Sequence, residues 1–221
     1  MAMQRKIVVI SAGLGVPSSS RMLADQLAAA TTAQLQELGT QVGTDVVQLR
    51  DVAVDIANHL VTGFAPPQLA EVLAKVTDAD ALIAVTPVFS ASYSGLFKSF
   101  FDVLDPKALD GMPVLIGATG GSARHSLVLD FAVRPLLSYF RARTLATGVY
   151  ASPEDWGAAQ SGVGGLDVRI AQAAGELANA LAPLGSAGDA VEDRRAARRE
   201  HEQEKLESLP FEQLLAQISG R

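Results

Sequence analysis

Five runs of apolar and β-branched residues recur along the chain: KIVVISA (6–12), DVVQL (45–49), ALIAVTP (81–87), PVLIGAT (113–119) and TLATGVY (144–150). Each has the length of a strand and little polar interruption, the pattern of strands buried on both faces of a parallel sheet. Between the runs the apolar positions change to helical spacing, over 20–38, about 66–77, 94–104 and 124–141, with a further segment near 164–183. This alternation predicts a parallel sheet covered by helices on both faces, because parallel strands need crossovers and right-handed crossovers lay a helix against the sheet.

Five strands in this rhythm suit the order 2-1-3-4-5. The expected class is therefore α/β, a flavodoxin-like doubly wound five-stranded parallel sheet, with a charged C-terminal helical tail. The tail is read from a change of composition after Pro183, where LGSAGDA has linker character and VEDRRAARREHEQEKLES carries both charge signs. Residues 1–184 are read as one domain and residues 185–221 as the tail. Charge pairs at helical spacing make the tail a solvated helix. Within it Phe211, Leu214, Leu215 and Ile218 share one helical face that could dock on a partner or a second subunit.

Composition narrows the function classes. A chain of 221 residues, 48% hydrophobic, is long enough to bury one sizeable core. No apolar stretch approaches the roughly 20 residues of a membrane helix, and the short apolar run at the start reads as a strand rather than a signal sequence. With no cysteine in the chain, disulfides and thiol nucleophiles are excluded, and a reducing compartment, the cytoplasm, is expected. A net charge of −6 and a pI near 5.0 argue against a nucleic-acid partner. Any phosphate bound here belongs to a small molecule.

In an open parallel sheet, ligands bind beyond the carboxyl ends of the strands, where the strand order reverses. The loops after the first, third and fourth long strands therefore belong together. The first, SAGLGVPSSSR (11–21), places Ser18, Ser19 and Ser20 at the start of a helix, where free amides and the helix dipole favour an anion. The bland alternative is a helix cap. No lysine stands near residues 13–21, which removes the P-loop, and Gly13-Leu14-Gly15-Val16-Pro17-Ser18 matches the dinucleotide pattern GxGxxG only in part. The acidic residue expected about 20 positions further on is also wanting, since Asp51 stands well beyond that distance. The second loop (86–102) offers small side chains with Phe89 and Tyr93, and the third, GATGGSARH (117–125), offers paired glycines that let backbone approach a flat ligand. Both also have plain readings, as packing aromatics and as a sharp turn. His59, His125 and His201 are scattered and form no metal pattern; His125 alone lies near these loops. No residue is assigned as catalytic acid or base.

TPVFSASYSGLFKSFFDVL (86–104) followed by GATGGSARHSLVLDFAVRPLLSYF (117–140) resembles the NAD(P)H-dependent FMN reductases, especially the reductase components of two-component alkanesulfonate monooxygenase systems. It is similar, more closely, to an actinobacterial-type subgroup that serves luciferase-like flavin monooxygenases. The resemblance spans about residues 5–150. It implies that Ser18 and Ser20, with Ser11 and Arg21, hold the FMN phosphate. Pro87, Val88, Phe89, Tyr93 and Ser94 would border the isoalloxazine, and Thr119, Gly120, Gly121 and Ser122 would close on its other side. Many members begin the phosphate loop with Gly-Ser-x-Arg; this chain has Ala12-Gly13-Leu14-Gly15, and Arg21 is the cation placed to compensate. The implied ligands are FMN with NADPH or NADH, and the implied macromolecular partner is a flavin-dependent monooxygenase. The chain is expected to form a homodimer or homotetramer, with Tyr139, Phe140 and the apolar face of the tail as contact surfaces. A quinone or azo reductase, a flavodoxin-type electron carrier without nicotinamide activity, and a non-enzymatic interaction protein remain as alternatives.

Overall fold

The computed structural model describes residues 4–156 and 165–182, and within them the expected runs become strands. In chain order these are β1 (Arg5–Ser11), β2 (Val42–Gln48), β3 (Ala81–Phe89), the short β4 (Ser92–Tyr93), β5 (Pro113–Thr119), β6 (Arg143–Thr144) and β7 (Val149–Ala151). The sheet runs β2-β1-β3-β5-β6, with β7 also on β5 and β4 on β3. All pairings are parallel except β3 with β4. With β5 counted fourth and the short β6 and β7 together as the fifth position, this is the order 2-1-3-4-5, and the fold is flavodoxin-like.

The side-chain period of two explains why the strands read as nearly continuous apolar runs. Ile7, Val9, Ile83, Val85 and Leu115 face one way, onto Leu23, Leu27 and Leu35 of α1 (Ser19–Glu37) and onto Ile170 and Leu177 of α6 (Leu166–Leu181). The alternate residues Val8, Ile10, Leu82, Ala84, Val114 and Ile116 face the other way. They meet Ile56 of α2 (Ala53–Thr62), Leu69 and Val76 of α3 (Pro67–Thr77), Phe97 and Phe101 of α4 (Gly95–Asp102), and Leu137 of α5 (Arg134–Tyr139).

Four elements differ from the sequence expectation. The second run is an edge strand rather than a doubly buried one: β2 starts at Val42, leaves Thr44, Asp45 and Val46 exposed, and stops before Leu49, which belongs to the 3-10 turn after it, because β2 ends the strand order beside β1. The fifth run, 144–150, is two short strands rather than one. Between them the Leu145 amide still donates to Val114 of β5 at 3.0 Å, but Arg134 donates to the carbonyls of Leu145 and Ala146 and the Glu176 carboxylate accepts from the Thr147 amide, so side chains take over from β5 there. The segment 124–141 is not one helix. It comprises a 3-10 turn (Ala123–His125), a π turn (Leu129–Val133) and α5. Pro135 cannot donate to the carbonyl four residues back, at Phe131, which breaks the regular ladder there. α2 was not anticipated: it fully buries only Ile56, while Val54 and Val61 face water, so its pattern shows no buried stripe.

At the edge where β1 and β3 begin, Arg5 pairs with Asp80 and donates to the Leu181 carbonyl at 3.2 Å, tying the last turn of α6 to the sheet. The domain end at residue 184 and the tail lie outside the described residues.

Candidate functional site

Register places the ends of three strands side by side. Ser11 stands opposite Val85, Thr86 opposite Ala118, and Pro87 opposite Thr119. The loops that leave these positions therefore share one edge of the sheet.

In the first loop, Ser11 is buried at the end of β1, and the Ala12 amide donates to the Val85 carbonyl at 2.9 Å. Ser18 is the N-cap of α1; its Oγ accepts from the Arg21 amide at 3.2 Å. Gly13 is required by close packing, since a Cβ there would overlap the Ser18 hydroxyl and lie 3.2 Å from the Cβ atoms of Ser18 and Ser20. Ser20 is only 2% exposed, and its hydroxyl forms a 2.7 Å hydrogen bond with the Thr119 hydroxyl. This bond joins the first loop to the third across 99 residues of sequence. The Nε of Arg21 is turned onto Asp25, at 2.8 and 2.9 Å from its carboxylate oxygens.

Arg50, from the 3-10 turn that follows β2, also reaches this loop: its Nη1 donates to the Gly15 carbonyl at 3.3 Å. In the sequence Arg50 stands beside Asp51 and belongs to no motif. Its signal was positional, a cation directly after the strand that flanks β1.

The second loop is a tight hairpin. Val88 pairs with Tyr93 and Phe89 with Ser92, and the two residues at the turn, Ser90 and Ala91, have φ of +49° and +66°. This is the signature of a turn with both central residues in the left-handed region, here without a glycine. The Thr86 hydroxyl locks the hairpin base, donating to the Pro87 carbonyl at 2.9 Å and accepting from the Ser94 amide at 3.0 Å. Ser94 is buried and caps α4 by accepting from the Phe97 amide. Tyr93 packs on Phe97, with ring centroids 5.9 Å apart, whereas Phe89 is 46% exposed. Pro87 and Val88 thus lie at the strand end, with Phe89 projecting beyond it.

In the third loop Thr119 is buried, and the Gly120 amide donates to the Ala151 carbonyl at 3.1 Å. The Ser122 carbonyl accepts from the Tyr150 hydroxyl at 2.7 Å. Open space surrounds Gly121, where an added Cβ would meet nothing within 4 Å. His125 is exposed in the following turn, and its amide donates to the Ser122 carbonyl at 3.3 Å. Among the described residues, no group of three or more His, Asp or Glu side chains could hold a metal ion. No described helix is long and apolar enough to cross a membrane.

The edge so formed has an anion-attracting helix start at one end and, at the other, two backbone-walled loops with space at Gly121. A monophosphate joined to a flat ring fits that division.

Comparison with known proteins points the same way. The model of a family described as NADPH-dependent FMN reductase matches residues 5–157. An FMN reductase (NADPH) of Pseudomonas aeruginosa is 42% identical over 68% of this chain and 78% of its own length. An NADH-dependent FMN reductase, SfnF, of Pseudomonas fluorescens is 38% identical over 79% of this chain and 90% of its own. The crystal structure of an oxidoreductase from Corynebacterium diphtheriae superposes with a TM-score of 0.76 at 48% identity, covering 80% of this chain and 96% of that one.

Proposed function

Because the chain belongs to the NADPH-dependent FMN reductase family, we propose that it oxidises NADPH or NADH and delivers the hydride to FMN. The observation that carries this reading is the Ser20–Thr119 hydrogen bond, which fastens a phosphate-type loop to a ring-type loop at the reversal point of the sheet. When bound, the flavin supplies the redox chemistry, accepting hydride at N5 from nicotinamide C4.

The chain's own residues bind and orient. The start of α1, with the Ser18 hydroxyl and the amides beside it, meets the phosphate; Arg50, paired with Asp51, reaches the loop at the Gly15 carbonyl, while Arg21 is held on Asp25 and would have to leave it to meet the phosphate. Pro87 and Val88 support one side of the ring, Phe89 and Tyr93 extend that wall, and Ser94 fixes the hairpin beneath it. Thr119, Gly120, Gly121 and Ser122 form the opposite wall. No side chain is needed to move a proton in the hydride step, so acceleration comes from holding two rings in reacting order.

The enzyme is proposed to act in the cytoplasm, to hand reduced flavin to a flavin-dependent monooxygenase, and to self-associate. Self-association is supported by exposed apolar side chains at Phe131 and Tyr139, which are 77% and 72% exposed. Phe140, expected to share that surface, is instead buried, with its ring centroid 5.7 Å from that of Phe101.

Steady-state oxidation of NADPH and NADH with FMN, FAD, riboflavin and a quinone as acceptors tests the reading. FMN is expected to be reduced well above the buffer rate by at least one of the two nicotinamides. Rates at the buffer level with both, together with no FMN binding on titration, would remove the enzyme reading; preference for the quinone would move it to the quinone reductases.

A further inference from the structure

Tyr150 belongs to none of the three loops, yet it meets one of them twice. β7 pairs with β5 so that Tyr150 stands opposite Ala118, one residue before the end of β5. The ring is buried in the core with Phe97, Val128 and Leu129. From there its hydroxyl donates to the Ser122 carbonyl at 2.7 Å. The same hydroxyl fills the space over Gly120: a Cβ on that residue would overlap the phenolic oxygen and lie 3.1 Å from Cζ. With the Gly120 amide bonded to the Ala151 carbonyl, the loop hangs from β7 at two points, and the phenol is wedged between them.

The two adjacent glycines therefore have different duties. Gly120 lacks a side chain because Tyr150 takes the place of one, whereas Gly121 faces open space. A pair that looks like one flexible turn in the sequence is a fixed residue followed by an open one.

The wedge is also held from behind. Arg169 of α6 donates to the Tyr150 carbonyl and pairs with Asp155, and Asp155 accepts from the amide and the hydroxyl of Ser152 at 2.8 Å each. Burial, then the nearby carboxylates Asp155 and Glu154, raise the Tyr150 pKa above its ordinary value. The phenol keeps its proton and remains a donor to a carbonyl that can only accept.

We propose that Tyr150 is a positioning residue for the flavin ring: its hydroxyl sets where the Gly120–Ser122 backbone lies, and thereby the width of the slot between that loop and the end of β3. This rests on the flavin reading above. Because Tyr150 acts on the ring wall and not on the phosphate end, it governs FMN and riboflavin alike.

The experiment uses the full-length protein with Tyr150→Phe, Gly120→Ala and the double variant, measuring FMN and riboflavin Kd by fluorescence quenching, NAD(P)H oxidation kinetics and urea unfolding. Loss of one neutral hydrogen bond is expected to weaken both flavins about fivefold in Tyr150→Phe, with kcat little changed at saturating flavin. Gly120→Ala is expected to lose more, and the double variant to recover part of that loss, because removing the phenolic oxygen removes the overlap. Should Gly120→Ala fail to fold, recovery of folding in the double variant is the same result. Flavin affinities that do not move in Tyr150→Phe, a loss for FMN alone, or strictly additive losses in the double variant would each overturn the proposal. A wild-type protein that binds neither flavin would instead defeat the flavin reading, while urea unfolding would still register the coupling between positions 120 and 150.

Discussion

Ser18 and Ser20 look equivalent in the sequence, and the structure separates them. Ser18 caps α1 at the surface of the loop, whereas the Ser20 hydroxyl is turned inward onto Thr119. Ser18→Ala is expected to weaken FMN at least tenfold and to leave riboflavin unchanged, since a hydrogen bond to a charged group is worth about 1.5–3 kcal/mol and riboflavin has no phosphate. Ser20→Ala leaves a buried Thr119 hydroxyl without its partner, a cost of about 1–3 kcal/mol that should appear in stability and in the affinity for both flavins. The double variant still loses more FMN than riboflavin. Titrating both flavins against each variant decides it: equal weakening of the two by Ser18→Ala would show that the loop does not meet phosphate. Small and hydroxyl residues crowded after strand ends made these loops legible in the sequence. Arg50 and Tyr150 were not, because a lone arginine after a strand and a tyrosine inside an apolar run carry no spacing signal. Only the pairing of β2 with β1 and of β7 with β5 brings them to the loops.

The hairpin of β3 and β4 is the element in which local preference and structure disagree most. Ser90 and Ala91 both have positive φ, where a side chain costs energy that glycine does not pay. Ala91→Gly is expected to stabilise the protein by about 1 kcal/mol, a rise in Tm of about 2–4 °C for a domain of this size. The same change should loosen the strand end that carries Phe89 and weaken FMN and riboflavin equally. A lower Tm in a thermal melt would show that the turn is not strained. Strands buried on both faces were legible because each reads as an unbroken apolar run, and PVLIGAT forms β5 over Pro113–Thr119 as expected. The hairpin, the split of the fifth run and the π turn were not. Each depends on a contact distant in sequence or on a missing donor: Thr86 with Ser94, Glu176 with Thr147, and the absent amide of Pro135.

Across the whole molecule, both faces of the sheet are already covered by the described helices, with α1 and α6 on one side and α2 to α5 on the other. The end of α6 is also closed. Its last turn buries Leu177, Ala178 and Leu181, the Ala182 amide donates to the Ala178 carbonyl at 2.8 Å, and Arg5 takes the Leu181 carbonyl. Among the described residues, those that support the three loops end at Arg169, so a chain ending at residue 184 is expected to retain the sheet, the three loops and the Tyr150 wedge with its support. Deleting residues 185–221 is therefore expected to shift Tm by no more than about 2 °C and to leave FMN affinity unchanged. The linker composition and dense charge of that segment suit a role in assembly or partner contact, so the measurement that should change is oligomer mass by light scattering, or retention of a partner monooxygenase. Phe131 and Tyr139 remain on the truncated domain, and residual self-association through them would give a mass between monomer and full assembly. An insoluble or unfolded truncation would show that the tail packs on the domain and that the boundary at residue 184 is misplaced. An unaltered mass with unaltered partner retention would remove the tail from assembly and leave the exposed apolar face of the domain as the subunit contact.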